Sequence, residues 1–216
     1  KRFVLVVFDP ETARREMIEF WHVSPPKADL ALETFRAEQA LRAGPARQRS
    51  DTETAFLWAG ATWLAEPEHA TCLESPIPET DAQRRTLADR IVLSATWVHG
   101  AIGCGPHGLL RLLAGDWNGA LDAAGTAGAG ESVLATAQFT AALRVLGGVL
   151  RQSGRRAQGE RFDAWQREAA AAVGDAFRNG AFLCGYTDAG EASGDPATGQ
   201  SFIAVQAWAV LARCGT

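Results

Sequence analysis

Apolar residues recur through most of this chain at spacings of three and four, the period of a helix that buries one face, and the stretches that break the period are short. Asp9-Pro10-Glu11 supplies a cap, a first-turn proline and an acid at the positive helix end. Met17, Ile18, Phe20 and Trp21 follow on one face, which predicts a helix over residues 10–22. Ser24-Pro25-Pro26 stops it, and a second helix is expected over 28–43, closed by Gly44 and Pro45. Asp51 is expected to cap a third, TETAFLWAGATWLA, which ends before Pro67. Beyond Pro76 and Pro78, Leu87, Ile91, Ala95 and Val98 predict a fourth over 81–101. A fifth starts near 131 and is expected to be interrupted at Gly147-Gly148; GERFDAWQREAAAAVGDAFRNG reads as a sixth and FIAVQAWAVLARC as the last. Only Leu109 to Leu113 and AFLCGYTD are short enough, and apolar enough, to read as strands.

Helices of this length, joined in pairs, point to an all-α array of hairpins rather than a doubly wound sheet. No period of about 33 to 45 residues with a shared signature recurs, which argues against TPR, ankyrin and HEAT arrays. A ring of helix hairpins, an α/α toroid forming a single domain over 1–216, remains. The long loops at 103–130 and 184–201 would then gather at one end, where binding sites on rigid frames usually lie.

Composition narrows the partners. With 47% apolar residues in 216, the chain can build a sizeable core. Its net charge is −4, its only lysines are Lys1 and Lys27, and its arginines are scattered, so it has no basic stripe for nucleic acid or an anionic membrane. Cys72, Cys104, Cys184 and Cys214 lie far apart with no CxxC pair, which predicts reduced, buried thiols and neither a zinc site nor a disulfide framework. The apolar start, Phe3 to Phe8, is too short to cross a membrane and carries no cleavage-type sequence, so a cytoplasmic protein is expected. The absence of an initiator Met before Lys1 suggests a fragment or a processed product. Six of the seven tryptophans (Trp21, Trp58, Trp63, Trp97, Trp165 and Trp208) sit in helical patterns and are expected in the core.

The seventh, Trp117, follows Gly115 and Asp116 and precedes Asn118, in a sharp bend after the apolar run. Carboxylate and amide suit sugar hydroxyls, and an indole face suits the apolar side of a pyranose ring. The same three residues also fit an Asx-type turn whose Trp fills the core.

The segments GPHGLLRLLAGDWNGALDAAG (105–125), GESVL (130–134) and GYTDAGEASGDPATGQSFIAVQAWAVL (185–211), in that order, resemble the catalytic domain of glycoside hydrolase family 94. That family includes cellobiose and chitobiose phosphorylases and the phosphorylase-like region of cyclic β-glucan synthases. The resemblance implies an α/α6 toroid and inverting attack by inorganic phosphate, a co-substrate rather than a cofactor, on a β-glucoside. One carboxylic acid protonates the departing oxygen, because phosphate needs no base to activate it. The family motif reads Gly-Asp-Trp-Asn-Asp and its last Asp is the proton donor; here that position is Gly119. Asp122, three residues on, and Glu131, at an expected helix start, are the candidate substitutes, although the helix end would equally suit Glu131 to a capping role. Asp116, Trp117, Asn118, Arg111 and Gln206 are the substrate-binding candidates, and Arg111 with His107 could hold an oxyanion. No metal site is expected. The family's phosphate-holding Thr-Gly segment lies beyond QAWAVL, where this chain stops, and its N-terminal β-sandwich is not recognisable here; that domain or a second copy is an expected partner. Two classes of function stay open: a glycoside phosphorylase or hydrolase domain, and a non-catalytic carbohydrate-binding or remnant toroid. A protein-interaction scaffold is a third, which a large exposed apolar groove would favour.

Overall fold

The computed structural model describes residues 49–76, 85–117, 121–122 and 124–215. The helices expected over 10–22 and 28–43 therefore lie outside the described residues. Arg49–Thr216 is a compact, mostly helical unit.

Helix α1, Asp51–Leu64, starts at its expected cap residue, one position earlier than predicted. Ser50 takes the cap position, and Asp51 is the first helical residue. Ser50 makes no side-chain cap; its backbone N–H and its hydroxyl both reach the Gly115 carbonyl, at 3.1 and 3.4 Å, tying the helix start to the bend at Gly115. Helix α2 spans Leu87–Trp97 rather than starting near 81. Thr86 and Asp89 set its start: the Thr86 hydroxyl accepts from Asp89 N–H at 3.2 Å and the Asp89 carboxylate accepts from Thr86 N–H at 3.0 Å. A π-helical turn, Val98–Ile102, continues it to Gly103.

Helix α3, Val133–Gln152, is the centre of the unit and packs against α1 and the two helices that follow. Its composition is apolar enough to span a membrane, yet 78% of its most apolar window is buried inside the protein, which marks it as a core helix. It runs unbroken through Gly147-Gly148. Those glycines were expected to interrupt it, but a glycine's missing side chain also lets another helix come close, and that use prevails here. A Cβ on Gly159 would stand 2.7 Å from the Gly147 carbonyl and 2.6 Å from Arg151 Cγ, so the two backbones nearly touch where α4, Arg156–Asp175, crosses α3.

Two-residue strands close one end. β1 (Leu110–Arg111) and β2 (Glu131–Ser132) pair antiparallel. The sixth predicted helix ends at Asp175, short of Gly180, and beyond it Asn179 and Gly180 take φ of 51° and 87°. This Asn-Gly hairpin turn joins β3 (Phe177–Arg178) to β4 (Ala181–Phe182). The strand expected over AFLCGYTD is thereby divided between β4 and β5 (Gly185–Tyr186), and β6 (Ala192–Ser193) completes a four-stranded sheet of order β1-β2-β5-β6. Helix α5, Ile203–Ala212, packs on α3 and meets α1 through an edge-on pair, Trp58 with Trp208. Its outer face leaves Ile203 84% exposed, with Val210 and Leu211 beside it.

The glycines give a paired test. Gly159→Ala forces a methyl against the Gly147 carbonyl and should lower stability by about 1–3 kcal/mol. Gly148→Ala, whose Cβ would meet nothing closer than 3.9 Å within α3, should raise it by about 0.5–1 kcal/mol. Urea denaturation of both variants checks the signs.

Candidate functional site

The bend after β1 is fixed from three sides. Leu112 N–H bonds the Gly130 carbonyl at 2.8 Å, Gly115 N–H bonds the Leu112 carbonyl at 3.2 Å, and the Gly115 carbonyl receives Ser50. Gly115 has φ of 147°, and a Cβ there would lie 2.5 Å from Asp122 Oδ1, so a side chain at 115 has neither a relaxed backbone nor room. Asp116 follows, fully buried, and accepts a hydrogen bond from the Ser132 hydroxyl. That same hydroxyl accepts from Ala135 N–H at 2.9 Å as the N-cap of α3. The next side chain, Trp117, is 68% exposed. Asn118 and Gly119 lie outside the described residues.

The other candidates are engaged elsewhere. Asp122 pairs with Arg49 at 3.2 Å with its side chain half exposed. Glu131 is on β2 and only 1% exposed. Its carboxylate accepts from the backbone N–H groups of His107 and Leu109, at 3.0 and 3.3 Å, and from His107 Nδ1. It is therefore a strand residue; the cap of α3 is Ser132. Arg111 donates to the Gly128 carbonyl. Gln206 spans the backbone of Phe182, receiving its N–H and donating to its carbonyl, each at 2.8 Å, as a neighbouring strand would. The structure thus joins Asp116 to Trp117 in one turn and Glu131 to His107 in one pair, and gives Arg111 and Gln206 backbone partners.

Among the tryptophans expected in the core, Trp21 lies outside the described residues and Trp97 is 48% exposed at the end of α2. Trp58 and Trp208 pack against the core, while Trp63 stacks on His69 and Trp165 on His99. All four cysteines lie among the described residues and are thiols rather than disulfides. Cys184 and Cys214 are buried as expected, whereas Cys72 is half-buried and Cys104 exposed. Burial pushes the Cys214 thiol up to about 11.

Three further groups shape the site. Ser132 carried a signal, a serine just before the apolar run of α3. Asp188 clamps the loop that returns from the turn: its carboxylate accepts N–H bonds from Ala127, Ala129 and Gly130 at 2.7, 2.8 and 2.9 Å. Partial burial works against its charge, yet these backbone donors hold it below the usual carboxylate range. Tyr186 and Arg178 are brought to His107 only by the sheet. His107 stacks on Tyr186 at 3.6 Å between ring centres, and Arg178 donates to the Tyr186 hydroxyl at 3.1 Å.

Ser132→Ala should cost about 1–3 kcal/mol, because it removes a helix cap and leaves the buried Asp116 carboxylate without that donor. Asp188 adds a pH dependence. Its folded pKa is lowered from an unfolded value near about 3.9, so its contribution is complete above that value and is lost as pH falls through the lowered one. Asp188→Asn should therefore lower stability at neutral pH and make acid unfolding below about pH 4 shallower; circular dichroism across an acid titration reads both.

No curated protein matches this chain. The catalytic domain of the Glycosyl hydrolase 94 superfamily matches residues 4–216, and it is to this family, of glycoside phosphorylase and hydrolase type, that the chain belongs.

Proposed function

We propose that the chain is a carbohydrate-active domain of α/α toroid type that holds a β-glucoside or oligosaccharide at the Asp116–Trp117–Asn118 turn and lacks the family's proton donor. The observation that carries this reading is Trp117. A large indole left in water costs solvation free energy, and here it stands on a turn anchored beneath by a buried carboxylate and a helix cap. Such a platform is preorganised for the apolar face of a sugar ring, with Asn118 beside it in sequence for hydroxyls.

In the family-type reaction a phosphate oxygen attacks the anomeric carbon while an acid protonates the leaving oxygen. Gly119 stands at the donor position and has no proton to give. A well-placed general acid contributes roughly 10²- to 10⁴-fold. The two candidate substitutes are both committed, Asp122 to Arg49 and Glu131 to His107 and two backbone amides. The reading is therefore of sugar binding with catalysis strongly reduced, most of all on substrates with poor leaving groups.

Trp117→Ala should weaken binding of cellobiose-type oligosaccharides by about tenfold with no loss of stability, as read by calorimetric titration; unchanged affinity in a folded variant rejects the sugar platform. Native phosphorolysis of cellobiose should be weak beside that of an activated aryl glucoside, and Gly119→Asp should raise the release of sugar 1-phosphate. Strong native turnover of cellobiose that disappears in Asp122→Asn or Glu131→Gln, with the aryl glucoside spared, would assign the donor to that residue.

A further inference from the structure

A cleft of about 210 Å³ opens between the loop at 105–109, the end of α4, β3 and β5, and among the described residues none that lines it belongs to the turn at 115–117. Its floor is apolar: Leu109, Ala172 and Ala176. Its polar groups are His107, Asp175 and Arg178, with Tyr186 behind His107.

His107 and Arg178 are held by neighbouring groups. The Glu131 carboxylate accepts from both the backbone N–H and Nδ1 of His107, so Nδ1 carries a proton, and in the neutral ring Nε2 is then the acceptor. No described residue bonds Nε2. The ring lies within 5° of parallel to Tyr186, and the Tyr186 hydroxyl is held by Arg178, whose guanidinium carbon lies 6.0 Å from the Tyr186 ring centre. Arg178 forms no ion pair with a described carboxylate, and neither does Asp175. Asp175 is moreover the last residue of α4, where an acid opposes the helix dipole.

The charges choose the class of ligand. Glu131, Asp175 and the nearby Asp195, which Arg178 reaches electrostatically, outnumber the one guanidinium, so an anion is disfavoured. Arg178 supplies donors, Asp175 and His107 supply acceptors, and Leu109, Ala172 and Ala176 supply apolar lining, a set that suits a neutral ring with hydroxyls on its edge and C–H groups on its face. A cleft of about 210 Å³ has room for one such ring.

We propose that this cleft is a second, monosaccharide-sized polyol subsite, separate from the Trp117 turn, in which His107 Nε2 and Asp175 accept from hydroxyls and Arg178 donates to one. Its ligand class deepens the carbohydrate reading above, whereas its location stands on the cleft alone.

Tyr186 is the only tyrosine in the chain, so its labelled ring reports this cleft while the labelled Trp117 indole reports the turn. The full chain is titrated with methyl β-D-glucoside and, separately, with inorganic phosphate. The expected result is a saturable shift of Tyr186 with the glucoside and not with phosphate, retained in Trp117→Ala and weakened about tenfold in both Arg178→Gln and Asp175→Asn. Nitrogen-15 spectra should give the Nδ1–H tautomer of His107; an Nε2–H tautomer overturns the acceptor role. If Trp117 shifts and Tyr186 does not, or if the Tyr186 shift vanishes in Trp117→Ala, this subsite is rejected and the turn stands. If Tyr186 alone shifts, the subsite stands and the turn reading fails. If neither moves, both fail, and a Tyr186 response to phosphate alone overturns the ligand class.

Discussion

Two residues in extended backbone, Glu131 and Ser132, set the geometry of both candidate regions. Successive side chains on a strand point to opposite faces, so one short strand clamps two neighbourhoods at once. Glu131 faces the loop at 105–109 and fixes His107; Ser132 faces the bend and fixes Asp116 while it caps α3. In the sheet, Glu131 stands opposite Arg111 on one side and Tyr186 on the other, and Ser132 opposite Leu110 and Gly185. A slip of one residue would exchange the two faces, burying a serine where the carboxylate collects its N–H bonds. Glycines make the arrangement possible: a Cβ on Gly185 would overlap the Glu131 carbonyl, and one on Gly105 would meet the Glu131 carboxylate at 2.5 Å.

This placement bears on the chemistry as well as the fold. A carboxylate that serves as general acid must hold a proton and present it to a leaving oxygen. Glu131 instead is only 1% exposed and its two oxygens accept three hydrogen bonds from His107 and Leu109, so both are already engaged in holding the 105–109 loop. Asp122 reaches across the open side of Gly115 to Arg49. Asp116, Asp122 and Glu131 thus hold a helix cap, a cation and a loop in place, while the indole beside Asp116 is exposed. That division, with polar groups spent on the frame and an aromatic face left over, suits recognition better than proton transfer.

The helices were legible because period and punctuation agreed. Thr86 and Asp89 mark the start of α2 more sharply than the apolar pattern, which extends the helix upstream. Gly147-Gly148 misleads because the same residue serves a break and a close crossing, and only the position of Gly159 on the facing helix decides between them. Asn179-Gly180 is a local hairpin signal that the helical run before it obscures. The site was half legible. The turn's composition marked Trp117, but the partners of Gln206, Arg111 and Glu131 depend on pairings 24, 17 and 24 residues away in sequence, which no local pattern encodes. The family resemblance located the segments without telling which side chains face a ligand.

The cleft at His107 follows from the same constraint. The hairpin turn at Asn179-Gly180 returns the chain so that Arg178 and Tyr186, eight residues apart, meet. β5 is then held against β2, which places Tyr186 under the ring that Glu131 has oriented. A buried carboxylate, an imidazole, a phenol and a guanidinium end as one ladder, each member limiting the rotamers of the next. Side chains ordered in advance lose little entropy on meeting a ligand. Lengthening the turn or shifting β5 by one residue would dismantle the ladder without substituting any residue that lines the cleft, so the sheet register, as much as the lining, determines whether this site exists.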